Sequence, residues 1–520
     1  MLQHHGRVWV AWLGLLCMGV LSQNDHINKP SDLYSSLLRM KVVFKFDEAV
    51  GELVSSWPKS SPPAEAIRYL ESYQSVVLDR ARDGGIEEGV SGNPLHLYSV
   101  IKRLVRLWPF LKPHLEALQH DQQEGVVVVE AVRLVLQAEN NTVLPDEADL
   151  TGATIALARL QHIYNIPVAD LMKGKLTATH TPSSISLSIE DCVDITETLY
   201  NHWLLPLAWQ WASSCIKATT NHQLQLSIQQ LMDNIEQKHD QSWTANSNIF
   251  LPQPLNISKN QVPRQSTYTY YCRGLHQKAQ HSLLRCHVGN RGSHYLTLQP
   301  VRYEELHHDP DLTIFYDVIS DAEIEQLKGI ASQMLKRSCV GTGTGQPDET
   351  RVSQTAWVPN NTSHVLPIIN RRIDAITNLF VYEGDLYNRA AEVLQMVNYG
   401  IGGHFTLHHD DFDEQPGDKA AGSNGEYDWL GGGNRLATWM FYLSDVVAGG
   451  STVFPTLRLS ITPVKGSAAF WYNLKRNGDR DPKLLHGGCP VLLGQKWVAN
   501  KWIREHKNFL RYPCSTHPNQ

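Results

Sequence analysis

The segment HFTLHHDDFDE, His404 to Glu414, sets two adjacent histidines ahead of two adjacent aspartates. Residues two apart on a β-strand point to the same face, so a His and an Asp at that spacing can offer an imidazole and a carboxylate to one ion. His408 with Asp410 and His409 with Asp411 both obey the rule, and spacing alone does not choose between them. A second, distant histidine would complete a facial site of two His and one carboxylate, the usual arrangement for Fe(II) that activates O2. His486, which ends the strand-like run before Gly487 and Gly488, is the best candidate. Lys496, ten residues after His486, adds a cation on the neighbouring strand; residue type alone would favour a solvated turn lysine, but its position argues against that.

The elements around these residues are short and β-rich. Beyond Val301, a helix capped by Ser320 with Glu323 is followed by runs such as LQMVNYGIGGHFTLHHD, GGGNRLATWMFYLSD, GSAAFWYNL and KWVANKWIRE, separated by glycine clusters. Regular short strands with glycine turns predict an all-β barrel or double-sheet jelly roll with the chemistry inside it. The first half reads differently. Leu33, Leu37, Met40 and Phe44, then Phe46, Val50, Leu53 and Trp57, form a heptad-like stripe with one two-residue shift, suited to a helix on its own core or to one that dimerises. Helical patterns continue to about residue 140. From Asp149 to Leu176 and from Ile189 to Ala218 the spacing suggests helical-hairpin repeats, with Trp203, Trp209 and Trp211 as core. The Pro-bearing polar stretch from Gln241 to Tyr268 reads as linker.

A chain of 520 residues implies two to four domains, and its 42% hydrophobic content is that of a globular protein. The net charge of -6, with no long run of either sign, gives no footprint for nucleic acid or for a membrane surface. The apolar run Val8–Leu21 behind Arg7 reads as a signal peptide over residues 1–22, with no membrane span expected after its cleavage. In that compartment Asn140, Asn256 and the overlapping Asn360 and Asn361 are sequon acceptors. Cys272 and Cys286 flank a short loop, and Cys489 and Cys514 bracket the C-terminal segment. Both pairs are expected disulfides, leaving Cys192, Cys215 and Cys339 unassigned.

The runs NYGIGGHFTLHHD, NRLATWMFYLSDVVAGGSTVFP, GSAAFWYNL and LLHGGCPVLLGQKWVANKW, with Cys514, resemble the catalytic domain of collagen prolyl 4-hydroxylase α subunits, in order and spacing, from roughly Leu312 to Cys514. Weaker resemblance extends upstream through DLTGATIALARLQHIYN and IEDC. The family pattern Y-G-x-G-G-x-Y-x-P-H-x-D, laid on Tyr399 to Asp410, makes His408 and Asp410 iron ligands, with His486 as the third. It implies Lys496 as the partner of the distal carboxylate of 2-oxoglutarate, with Tyr399 and Thr452 as hydrogen-bond donors to that group. Arg435 and Trp502 resemble residues near the peptide substrate. Phe405, also on that side, stands where the family has Tyr, and Leu407 replaces a Pro. Tyr164, Tyr200 and Trp211 are kept, whereas Leu205 and Pro206 replace paired tyrosines, and a proline inside that helix would disturb it.

The resemblance implies a multidomain α+β chain. An all-helical N-terminal half holds dimerisation helices (23–140) and TPR-like helical hairpins that bind peptide (141–240). A linker with Cys272 and Cys286 (241–300) leads to a double-stranded β-helix, or jelly roll, over 301–520. The implied activity is that of an Fe(II)- and 2-oxoglutarate-dependent dioxygenase, supported by O2 and L-ascorbate, that hydroxylates C4 of proline in collagen-like X-Pro-Gly sequences. The implied partner is protein disulfide isomerase as β subunit of an α2β2 tetramer in the endoplasmic reticulum lumen, with the Leu33–Trp57 stripe as the α–α surface. Two other readings compete: a non-catalytic or altered-specificity member acting as a peptide-binding or assembly subunit, and a zinc hydrolase, which would leave Lys496 without a role.

Overall fold

The computed structural model describes residues 32–57, 62–82, 92–119, 126–177, 185–245, 264–274, 286–339, 349–384, 389–412 and 432–515. The signal sequence and Asn256 lie outside them. The chain divides into two units, one within residues 1–261 and one spanning Val262–Val491 and Gln495 onward. Among the described residues no helix is long and apolar enough to cross a membrane.

The first unit is helical. Ser36 accepts a hydrogen bond from the Arg39 amide and starts the helix Leu37–Ser55. The stripe residues Leu33, Leu37, Met40, Phe44, Phe46, Val50 and Leu53 are all buried within the unit. Phe44 stacks on His96 and Phe46 meets Trp108 edge-on, so the chain's own helices Pro94–Arg106 and Trp108–Gln119 fill the stripe. This corrects the expectation of an α–α surface there. The two-residue shift spreads apolar positions too widely for a coiled-coil seam, and Val43 and Val54 are buried as well. Asp47, on the same helix, receives two hydrogen bonds from the Arg103 guanidinium (3.0 and 2.7 Å) and one from the Tyr69 hydroxyl (2.7 Å), all inside the core.

Further on, the helices Ile189–Asn201 and Leu205–Ala218 pack as a hairpin closed by a Cys192–Cys215 disulfide (Cα–Cα 5.8 Å), and His222–Ala245 packs on the second of them. That last helix runs into the stretch expected to be linker. Pro206 lies in the first turn of its helix, where the missing N–H breaks no helical bond, so the disturbance expected from it does not arise. Of the three tryptophans read as core, only Trp211 is buried; Trp203 and Trp209 are exposed.

The second unit is rich in sheet. Its strands are β1 Cys286–Gly289, β2 Val301–His308, β3 Asp311–Tyr316, β4 Lys336–Arg337, β5 Arg351–Val352, β6 Gln354–Val358, β7 Leu394–Tyr399, β8 His404–His408, β9 Arg435–Tyr442, β10 Ala448–Gly449, β11 Thr452–Phe454, β12 Leu459–Ile461, β13 Ala468–Tyr472, β14 His486–Gly488, β15 Val491–Leu493 and β16 Lys496–Arg504. A nine-stranded sheet has the order β1-β2-β3-β13-β9-β16-β7-β6-β4, and a five-stranded sheet the order β12-β11-β14-β8-β5. One apolar cluster joins Leu312, Val397, Met440 and Val498 of the larger sheet to Phe454 and Ile461 of the smaller. The helix after Ser320 has the expected capping box.

The cysteine pairing differs from expectation. Cys272 bonds to Cys489 (Cα–Cα 5.6 Å), while Cys286 and Cys514 stand outside any disulfide and are exposed; Cys339 is exposed too. The helix Arg264–Cys272 packs on β11 and β12, and the Tyr268 hydroxyl donates to the Gly488 carbonyl (2.9 Å), which brings Cys272 to Cys489. Cys286 begins β1, at one edge of the larger sheet.

Two expected outcomes follow from this packing. Arg103→Ala leaves the Asp47 carboxylate buried without its cation and should lower stability by about 3 to 5 kcal/mol in denaturant titration; a change under about 1 kcal/mol contradicts the buried pair. Non-reducing peptide mapping should return Cys192–Cys215 and Cys272–Cys489 as linked peptides, and recovery of Cys272 with Cys286 contradicts the observed packing.

Candidate active site

A tight turn carries the chain from β7 in one sheet to β8 in the other. Gly402 in that turn has φ +68°, and a Cβ on Gly403 would lie 2.7 Å from the Gly400 carbonyl oxygen and 3.0 Å from that of Val352, so both positions require glycine. β8 then pairs antiparallel with β14, placing His408 opposite His486. Their rings lie 4.4 Å apart between centroids. Residues distant in sequence are thus brought side by side by the pairing of two short strands.

Each imidazole is oriented the same way. Nδ1 of His408 lies 2.8 Å from the Thr406 carbonyl oxygen, and Nδ1 of His486 lies 2.9 Å from that of Leu484. A carbonyl only accepts, so Nδ1 carries the proton in both rings and the Nε2 lone pairs are left for a ligand. Asp410 does not lie on the strand, as the alternation argument assumed, but in the bend just after β8. Its two carboxylate oxygens lie 3.7 Å from Nε2 of His408 and 3.7 Å from Nε2 of His486. Among the described residues, His408, Asp410 and His486 are the one set of three His, Cys, Asp or Glu whose donor atoms all lie within 4.8 Å of one another. Asp411 is engaged elsewhere, accepting a hydrogen bond from Arg480 Nε at 2.7 Å. Two imidazoles and one carboxylate converging in this way suit a divalent ion such as Fe(II).

The electrostatics agree with that reading. Burial and the neighbouring His486 push the His408 pKa far below the ordinary histidine range, so the ring is neutral at physiological pH. Burial opposes charge on Asp410, but His486, His408 and the Thr438 hydroxyl outweigh it and hold its pKa below the usual carboxylate value. Aromatic rings wall the site: Phe405 stacks on His408 at 3.6 Å, and Phe454 and Trp471 flank His486 at 5.2 and 5.0 Å.

Lys496 begins β16 directly opposite Tyr399 on β7, and only 3% of its surface is exposed. It is not a solvated turn lysine. Burial drags its pKa down to about 7, with no acidic group offsetting the effect. Its Nζ donates to Thr452 Oγ1 at 3.3 Å, and the same oxygen accepts from the Tyr442 hydroxyl at 3.0 Å. Having accepted twice, the Thr452 hydroxyl still has its own proton to donate. Lys496, Thr452 and Tyr399, which the family resemblance grouped, are therefore brought together, and among the described residues no carboxylate pairs with the buried Lys496 cation.

Arg435 is not a loose surface residue. It forms two bonds with Glu392 (2.7 and 2.9 Å), donates to the Asp410 backbone carbonyl (3.1 Å) and lies 3.6 Å over the Trp502 ring. Thr438, Asn473, Tyr442 and Glu392 were not singled out from sequence. They occupy ordinary strand-like runs, and only their contacts mark them. Both candidate sequons in the described residues outside the helical unit differ in access: Asn361 is exposed, whereas the Asn360 side chain accepts a hydrogen bond from Asn370 at 2.9 Å.

Metal titration of the purified protein provides the test of this donor set. His408→Ala, Asp410→Ala and His486→Ala should each weaken Fe(II) binding by more than about 100-fold, beyond the loss of a supporting hydrogen bond. His409→Ala should bind as the parent does, and loss of metal from that variant while His408→Ala retains it contradicts the assignment.

Comparison with known proteins agrees with this geometry. Residues 65–178 match the family model of the prolyl 4-hydroxylase alpha-subunit N-terminal region, and residues 394–504 that of the 2OG-Fe(II) oxygenase superfamily. The second span contains His408, Asp410, His486 and Lys496. The chain is 30% identical to prolyl 4-hydroxylase subunit alpha-1 of Rattus norvegicus, covering 96% of this chain and 98% of the relative. It is 31% identical to the Homo sapiens alpha-1 subunit over 94% of each, and 32% identical to the Bos taurus alpha-3 subunit over 82% and 84%. A viral collagen prolyl hydroxylase from Paramecium Bursaria Chlorella virus-1, solved as its 2OG complex, is 28% identical, covering 37% of this chain and 95% of its own, with a TM-score of 0.29. The chain belongs to the prolyl 4-hydroxylase alpha-subunit family, and it is a 2-oxoglutarate- and Fe(II)-dependent dioxygenase.

Proposed function

We propose that the chain hydroxylates C4 of proline in collagen-like X-Pro-Gly sequences, with Fe(II) held by His408, Asp410 and His486 and the distal carboxylate of 2-oxoglutarate held by Lys496, Thr452 and Tyr399. The observation that carries this reading is a buried ammonium, bonded to a hydroxyl and to no carboxylate among the described residues, near a two-His, one-carboxylate set. β14 links the two ends: His486 lies on it, and Thr452 is paired with Gly488 two residues further along. Two strand residues span about 7 Å, a distance suited to a short keto diacid lying between them. A hydrolytic zinc site would give Lys496 no task.

When bound, Fe(II) supplies what no side chain can, activation of O2 coupled to oxidative decarboxylation of 2-oxoglutarate to succinate and CO2, with L-ascorbate restoring iron lost to oxidation. The side chains bind, orient and exclude water. Lys496 forms a charge-assisted bond to the distal carboxylate and sets its depth. Thr452 donates its remaining proton to the same group, and the Tyr399 hydroxyl is the further donor proposed there. The rings of Phe405, Phe454 and Trp471 keep bulk water from the two histidines. Arg435 and Trp502, stacked beside Asp410, are proposed to face the peptide substrate, with Phe405 on the same side.

The sheet pair is read as a double-stranded β-helix, and the hairpins of residues 141–240 as a TPR-like peptide-binding region. An altered peptide preference rests on one observation in that region. Leu205 is fully buried and Pro206 serves as a helix start, so neither offers an aromatic face, whereas Trp203 and Trp209 are exposed. Two formed disulfides fit the lumen of the endoplasmic reticulum, where we place the chain with protein disulfide isomerase as β subunit of an α2β2 tetramer. The α–α contact must then use a surface other than the buried Leu33–Leu53 stripe.

Release of CO2 from carboxyl-labelled 2-oxoglutarate should depend on a collagen-like Pro-Pro-Gly peptide, which should gain one oxygen atom per hydroxylated proline by mass spectrometry. No peptide-dependent release from a metal-loaded complex would leave the chain as an assembly subunit. Lys496→Met should raise the KM for 2-oxoglutarate by an amount equivalent to about 3 to 5 kcal/mol, because the carboxylate loses its buried cation; an unchanged KM removes Lys496 from the site.

A further inference from the structure

The geometry points to Thr438, held by Asn473, as a positioning residue that fixes the Asp410 carboxylate for metal binding. The inference rests on the reading of His408, Asp410 and His486 as the metal ligands. Asp410 lies beyond the end of β8, so no ladder of backbone bonds determines the direction of its carboxyl group. Side-chain contacts have to do so. Thr438, on β9 of the larger sheet and 1% exposed, places Oγ1 2.7 Å from Asp410 Oδ2.

The direction of that bond follows from donor counting. An ionised carboxylate only accepts, so the single hydroxyl proton of Thr438 goes to Asp410. Thr438 Oγ1 can then only accept from Asn473, whose Nδ2 lies 3.0 Å away. The same Nδ2 lies 3.3 Å from the Arg435 backbone carbonyl, so both of its protons have acceptors and the amide has one orientation. Asn473 is itself held at the end of β13, its backbone amide donating to the Leu436 carbonyl at 2.8 Å. The relay therefore runs from backbone to Asn473, to Thr438, to one carboxylate oxygen. It holds the carboxyl plane and occupies a lone pair of Oδ2, which favours coordination through one oxygen and leaves metal positions open for substrate.

The test is titration of the metal-free protein with Co(II), read by visible absorption, for the parent, Thr438→Val, Thr438→Ala, Thr438→Ser and Asp410→Ala. Val keeps the shape and removes the donor, while Ser restores the donor. Co(II) affinity should fall about 10- to 100-fold for Val, stay within about threefold of the parent for Ser, and the KM for 2-oxoglutarate measured at saturating Fe(II) should not move. Should Thr438→Val fail to fold, Thr438→Ala, which is smaller than the parent residue, carries the same readout. Parent-like Co(II) affinity in the folded variant lacking the hydroxyl overturns the inference, as does a loss in Thr438→Ser equal to that in Val. Asp410→Ala separates the two levels: if it also binds like the parent, the ligand reading fails, and if it alone loses the metal, only the positioning role fails.

Discussion

A lysine ammonium buried without a carboxylate partner is the constraint around which the candidate site is arranged. Charged groups are rarely buried unless paired, because the loss of hydration costs several kcal/mol per ion. Among the described residues Lys496 has the neutral Thr452 hydroxyl as its hydrogen-bond partner and no carboxylate, and its lowered pKa is the expected consequence. Tyr442 braces Thr452 from the other side. Around them lies the apolar cluster that includes Tyr399, Tyr442, Phe454 and Trp471. On the proposed function, the distal carboxylate of 2-oxoglutarate supplies the missing anion.

The other end of the site depends on strand register. His408 faces His486 only because β8 and β14 pair in one alignment, and a slip of one residue would turn either ring to the opposite face. The Gly402–Gly403 turn permits the alignment by letting the start of β8 approach the Gly400 and Val352 carbonyls more closely than any side chain would allow. The backbone carbonyls two residues before each histidine then fix the tautomer. Asp410 is the exception, since it lies off the strand and takes its orientation from β9 through Thr438 and Arg435.

Legibility in the sequence followed how local each cause is. The helical first half and the strands of the second were readable because periodicity is a local property. The choice between His408 with Asp410 and His409 with Asp411 was not readable from residue types: Asp411 is excluded by Arg480, far along the chain, and only the family register anticipated it. Lys496 suited a solvated turn by residue type alone; its place in the sequence and the family register argued otherwise, and its burial opposite Tyr399 agrees with them. The disulfides went wrong for the same reason, since nearness in sequence placed Cys286 with Cys272 while a helix packed on the smaller sheet delivered Cys489 instead. The Leu33–Trp57 stripe announced an apolar face but not what covers it, and the chain covers it with its own helices. Thr438, Asn473 and Tyr442 left no local signal, because an isolated polar residue in an apolar strand acquires meaning only from what lies across the sheet.

On the proposed function the buried Lys496 cation and the metal set bind one two-ended anion. The most direct measurement is calorimetric titration of the metal-loaded protein with 2-oxoglutarate between about pH 6 and about pH 9, in buffers of different ionisation enthalpy. In the free protein the Lys496 ammonium loses its proton as the pH rises through about 7. Affinity for the dianion should therefore fall above that point, with uptake of close to one proton per molecule bound, and the fall should vanish in Lys496→Met. Affinity that stays constant across this range, or falls equally in the parent and in Lys496→Met, would contradict the account.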